Sequence, residues 1–181
     1  MKAKAGSKAK PKAKVAKKAK ALSIPKGFRT LTPYIVVRDA RKAVEFYQKA
    51  FGAKVRGVHY TPDGKVMNAH LQIGDSVLLL NDEFPGNKCT SPQALGGTTS
   101  TLHIYVKDAD AWFQRAVAAG ATVVMPLMDQ FWGDRYGQLL DPFGHHWSVA
   151  THKEDPTPKQ IEERAAAIFS KMAQQQAAPE S

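Results

Sequence analysis

The chain is poor in cysteine, with one, Cys89, among 181 residues. That excludes an intramolecular disulfide and any cysteine-built zinc cluster. It also suits a reducing compartment, so a cytoplasmic location is expected. No stretch of 18 apolar residues occurs, so no membrane span is expected. The start lacks the apolar segment of a secretory signal. Residues 1–20 contain no acid and no aromatic, yet hold nine lysines.

That asymmetry explains the net charge of +10, from 26 basic and 16 acidic residues. Beyond residue 20 the basic residues number 17 against the same 16 acids, leaving a near-neutral globule behind a cationic tail. Residues 1–23, rich in Lys and Ala, have too little apolar surface to offset their ordering entropy and are expected to be disordered. Residues 2–20 suit non-specific nucleic-acid binding by counterion release, without base stacking. A solubilising extension is the alternative.

The remainder alternates strand and helix patterns. Leu31–Val37 reads as a strand. Asp39 can cap a helix on which Ala40, Ala43, Val44, Tyr47, Ala50 and Phe51 share a face, with Gly52 closing it. Strands are expected at Lys54–Tyr60, Val66–Ile73 and Ser76–Asn81. In the second of these, Met67, Ala69, Leu71 and Ile73 face one side, and Asn68, His70 and Gln72 the other. Glu83–Thr99 reads as a loop. The order then recurs: Thr101–Val106, a helix from Asp108 to Gly120 burying Trp112, Phe113 and Val117, then Ala121–Met125, Gly137–Leu140 and His145–Thr151. Thr157 and Gln160 have capping-box spacing ahead of a helix over 157–175 whose stripe is Ile161, Ala165, Ile168 and Met172.

The recurrence is visible in the letters. Val37-Arg38-Asp39-Ala40 matches Val106-Lys107-Asp108-Ala109 at an offset of 69, and Gly52-Ala53-Lys54-Val55 matches Gly120-Ala121-Thr122-Val123 at 68. The expected fold is α+β: a domain over 28–152 made of two tandem βαβββ modules, 28–82 and 100–152, forming one curved mixed sheet around a cavity.

With Thr32-Pro33-Tyr34, Ala50-Phe51-Gly52-Ala53, Ile73-Gly74-Asp75-Ser76 and Asp141-Pro142-Phe143-Gly144-His145, this repeat resembles the vicinal-oxygen-chelate superfamily of glyoxalases, dioxygenases and fosfomycin- and bleomycin-resistance proteins. The PhnB-like subgroup is the nearest in flavour. The resemblance implies a metal bound at four strand positions, which fall here on Thr32, Leu79, Thr101 and Ser148. That set suits no transition metal, so no cofactor is expected. It also implies a homodimer.

Strand alternation turns Thr32, Tyr34, Asn68, His70, Thr101, His103, Tyr105, His146 and Ser148 into the cavity. Three uses of the histidines stay open. His70, His103 and His146 could form a displaced metal site. His103 could be a general base beside Tyr105 and His70, in a glyoxalase-like lyase or isomerase. Or all three could be ligand-binding or structural groups. Trp132 could close the mouth and Arg135 hold an anion, or both could be packing and surface-pairing residues. Phe84 could be a lid or a loop anchor, and Cys89 lacks a histidine partner. The reading reached from the sequence is a metal-independent small-molecule binding protein.

Overall fold

The computed structural model describes residues 21–177. The expected tail over 1–20 lies outside the described residues, while residues 21–23 are exposed and in no helix or strand. The first module comprises β1 (Tyr34–Val37), α1 (Ala40–Phe51), β2 (Lys54–Tyr60), β3 (Val66–Ile73) and β4 (Ser76–Asp82). A short helix, α2 (Pro92–Leu95), lies in the linker. The second module comprises β5 (Thr101–Tyr105), α3 (Ala109–Ala118), β6 (Thr122–Asp129), β7 (Asp134–Leu140) and β8 (His146–His152), and α4 (Pro158–Ala177) follows.

Each module closes its own four-stranded mixed sheet, ordered β1-β4-β3-β2 and β5-β8-β7-β6. The layer expected of the pair is thus built from two sheets. In both, the first and last strands of the module pair in parallel and the rest are antiparallel. The repeat extends to single hydrogen bonds. Asp39 and Asp108 each accept from the backbone N–H three residues on, at 3.1 and 3.0 Å. The N–H of Ala40 reaches Asp82 Oδ1 at 2.7 Å, and that of Ala109 reaches Thr151 Oγ1 at 2.8 Å. Both acceptors lie on the last strand of their module, 69 residues apart, and tie the helix start to the sheet.

The modules share one core, because α1 packs against α3. The Phe51 ring lies 4.5 Å from that of Trp147 and 6.3 Å from that of Trp112. Between the modules sits Asp141, 3% exposed. Its carboxylate accepts from Tyr47 Oη (2.7 Å), Trp147 Nε1 (2.8 Å) and the N–H groups of Phe143 and His145 (2.9 Å each).

Several local expectations are corrected. The first strand starts at Tyr34, not Leu31, which is 87% exposed. Val66, not Met67, joins Ala69 and Leu71 in the core, because β3 bulges at Met67, where Asn68 and Val66 pair with the consecutive His59 and Tyr60 of β2. The Glu83–Thr99 loop contains α2, started by Pro92 and capped by the Ser91 hydroxyl. The strand after α3 runs on to Asp129 through Pro126, tolerated because β6 is a sheet edge. Val117 is exposed rather than buried against the core. The capping box forms: Thr157 N–H donates to Gln160 Oε1 at 2.8 Å, and Gln160 N–H to Thr157 Oγ1 at 3.3 Å. On α4, Ile161, Ala165 and Ile168 are half-buried, whereas Met172 is exposed.

Candidate functional site

The strand β5 explains the position of the candidate site. Leu102 and Ile104 pack toward the core, so alternation turns Thr101, His103 and Tyr105 to the other face. A cleft of about 1290 Å³ runs along this strand. The segment Arg29–Pro33 and the β3–β4 hairpin line it too, together with Trp112 and Trp147.

On the exposed face of the second sheet, His103 Nδ1 lies 2.7 Å from Ser148 Oγ, and Ser148 is 1% exposed. The His103 ring meets Tyr105 edge-on at 4.5 Å and stacks on Tyr136 at 5.9 Å. Burial lowers the His103 pKa, against a weaker opposing pull from Asp134, so the imidazole is neutral at pH 7.

Next to it lies a carboxylate hub. Asp134 is 3% exposed. Its Oδ2 accepts from Tyr105 Oη at 2.8 Å and from Trp132 Nε1 at 3.1 Å, and its Oδ1 lies 2.8 Å from His152 Nδ1. Burial pushes the Asp134 carboxyl up, but the hydrogen bonds from His152, Tyr105 and Trp132 outweigh it and hold the group below its usual value. Tyr105 is pushed above the usual phenol range, mainly by its bond to Asp134.

The second ring nitrogen of His152 lies 3.0 Å from Asp155 Oδ1. Carboxylates only accept and a neutral imidazole has one N–H, so satisfying both bonds takes the imidazolium. The hydrogen bonds to Asp134 and then Asp155 raise the His152 pKa. A raised folded pKa makes this cluster's contribution to stability full below the unfolded value of about 6.5. That contribution is lost as pH rises through the folded value. NMR titration should place the His152 midpoint above that of an unfolded reference, and the pH dependence of unfolding between wild type and His152→Gln should differ over that window. A midpoint at or below the reference would overturn the assignment.

The first sheet carries a separate group. Asn68 Nδ2 donates to Tyr34 Oη at 2.9 Å, and the His70 ring meets Phe28 edge-on at 5.5 Å. Thr32 lines the cleft, with its hydroxyl donating to Arg29 O at 3.0 Å. His146 pairs across the ladder with Thr101. The expected residues therefore fall into two sets: Tyr34, Asn68 and His70 on the first sheet, and Thr101, His103, Tyr105, Trp132, His146 and Ser148 on or beside the second. Among the described residues no three or more His, Cys, Asp or Glu side chains are placed to hold a metal ion.

Arg135 lies on the helix side, where it forks onto Asp110 with two bonds of 2.7 Å and reaches Asp129 at 3.3 Å. Its guanidinium is thus committed within the protein. Phe84 sits under Lys65, whose Nζ is 5.6 Å from the ring centre. Cys89 is exposed.

Sequence reasoning missed Asp134, Tyr136 and His152. The signal was alternation carried further. Residues 146, 148, 150 and 152 share a face, but the strand was ended at Thr151. Asp134 and Tyr136 begin β7, which was started at Gly137.

No helix among the described residues is long and apolar enough to cross a membrane. Residues 29–149 match the family model of the Glyoxalase/Bleomycin resistance protein/Dioxygenase superfamily. Protein Rv0887c of Mycobacterium tuberculosis is 53% identical over 122 residues, 66% of this chain and 72% of that protein. The crystal structure of TioX from Micromonospora sp. ML1 is similar at 27% identity with a TM-score of 0.56, covering 67% of this chain and 97% of TioX. The PhnB protein from Bacillus cereus shares the fold at 17% identity, with a TM-score of 0.55 over 68% of this chain and 99% of its own. The chain, with its tandem modules and a matched region spanning both, belongs to the Glyoxalase/Bleomycin resistance protein/Dioxygenase superfamily.

Proposed function

We propose that this chain is a small-molecule binding protein of the glyoxalase/bleomycin-resistance type that works without the superfamily's usual metal. The observation that carries the reading is the chemistry of the four positions implied for metal ligands. Leu79 has no donor atom, the Ser148 hydroxyl is engaged by His103, and the Thr32 hydroxyl is engaged by Arg29 O. Neutral hydroxyls and an alkyl chain do not fit a divalent transition metal, which takes imidazole, thiolate or carboxylate. The cleft offers aromatic walls and a few placed polar groups, the usual make-up of a ligand site. Thr32, Thr101, His103 and Tyr105 would contact the ligand there, with Ser148 holding His103 and Trp132 supporting Tyr105 through their shared acceptor Asp134. Tyr34, Asn68, His70 and His146 would extend the surface.

The same reading includes a homodimer and a cytoplasmic location. In favour of the former, Met67, Val123 and Met128 are all exposed on the sheets of a single copy. A screen of metabolites and antibiotics by thermal shift tests the binding role. A ligand at 100 times its Kd should raise Tm by roughly 5–10 °C. His103→Ala should abolish most of that shift. A stoichiometric metal in purified protein, lost on His70→Ala or His103→Ala, would overturn the reading. It would favour a glyoxalase-like lyase or isomerase, for which the neutral His103 beside Tyr105 is the supporting geometry.

The nine lysines of residues 2–20 support a further role in non-specific association with nucleic acid. Full-length protein should be retained on DNA at low salt and released steeply as salt rises, and a chain starting after Lys20 should not be retained. Equal retention of the two would exclude the idea, and retention on anionic vesicles but not DNA would replace it with a lipid partner.

A further inference from the structure

We propose that the cleft, read as above as a small-molecule site, selects ligands that present an N–H or O–H donor to the Tyr105 oxygen. A phenol has a single hydrogen-bonding proton, and a carboxylate offers only lone pairs. Tyr105 Oη lies 2.8 Å from Asp134 Oδ2, so that proton is committed to Asp134. The commitment is firm because Asp134 is nearly buried and is held as an anion by donors from three separate places: β5, the turn at Trp132, and the end of β8. Turning the phenol proton to a ligand would leave a buried charge short of a donor, which is costly. Tyr105 itself is 60% exposed and lines the cleft. What it offers there is an acceptor, strengthened by the negative charge behind it.

The rest of the cleft lets this polarity be measured. On the same face as Tyr105, the rings of His103 and Tyr136, stacked at 5.9 Å, give a flat apolar surface suited to an aromatic body. Indole and benzofuran have nearly the same shape, but indole carries an N–H where benzofuran carries an oxygen. Each is titrated into the ¹⁵N-labelled full-length protein, following the amides of His103 and Tyr105. Indole is expected to bind about ten-fold more tightly than benzofuran. Tyr105→Phe keeps the ring and removes the acceptor. It should bring the ratio of the two affinities to about one, and the dispersion of the ¹⁵N spectrum reports separately that the variant is folded. Equal binding of the two probes to wild type would overturn donor selection and leave the small-molecule reading standing. A preference that survives in Tyr105→Phe would overturn it as well. Failure of both probes to bind wild type at millimolar concentration would overturn the small-molecule reading, and this inference with it.

Discussion

Asp141→Ala is expected to lower stability by about 4 kcal/mol or more, read from urea unfolding. Its carboxylate satisfies four donors at once: two backbone N–H groups of the turn before β8, the Tyr47 hydroxyl and the Trp147 indole. Tyr47 and Trp147 are 0% and 2% exposed, so neither can recover a bond to water. Each buried donor left unpaired costs about 1–3 kcal/mol. The loss also has a structural direction. Tyr47 belongs to α1 and Trp147 to β8, so this one side chain joins the two modules. Tyr47→Phe removes a single bond and should cost about 1 kcal/mol. In a double-mutant cycle the two changes should be strongly non-additive, since they share a partner. A cost below about 2 kcal/mol for Asp141→Ala would show that the modules are joined chiefly by apolar packing and by the other cross-module bonds, Arg115 to Ala50 O and His145 to Val36 O.

Gly133→Ala is the second large expected effect, at about 3 kcal/mol. Gly133 has φ of +99°, where a side chain is strained. A Cβ there would also lie 2.3 Å from Glu154 O and 2.8 Å from Pro156 Cδ. The close approach is structural, because Gly133 O accepts the N–H groups of Lys153 and Glu154 at 2.9 and 3.1 Å. It docks the segment after β8 on the turn that carries Trp132. The variant should therefore disturb His152 and Trp132 as well as stability. Gly74→Ala separates the two causes. Gly74 has φ of +58° but nothing within 4 Å of a Cβ, so only backbone strain applies, about 1 kcal/mol. Equal costs at the two positions would show that the contact with Glu154 contributes nothing.

The two modules were legible because their signals are local. Val37-Arg38-Asp39-Ala40 and its copy carry a strand end, a cap and a helix start within four letters, and the structure repeats even the hydrogen bonds to Asp82 and Thr151. Strand alternation likewise brought out His103 and Ser148, which face one another across the β5–β8 ladder. Boundaries were less legible. Val66 and Met67 exchange places because β3 bulges at Met67, an irregularity fixed by its pairing with β2 and not by any alternation in the letters.

By itself the sequence determined the βαβββ repeat, the caps, the faces of most strands, the confinement of the positive charge to one end, and the absence of metal-binding side chains at the four implied positions. Each of these depends on residue type and on spacing along one element. Only the tertiary structure decided that Arg135 turns to the helix side and pairs with Asp110, that the modules meet at Asp141, and that Asp134 gathers Tyr105, Trp132 and His152. Those partners lie up to 94 residues apart in the chain. Burial and hydrogen bonding among them depend on where strands and turns converge, and that is set by packing, not by any local run of letters.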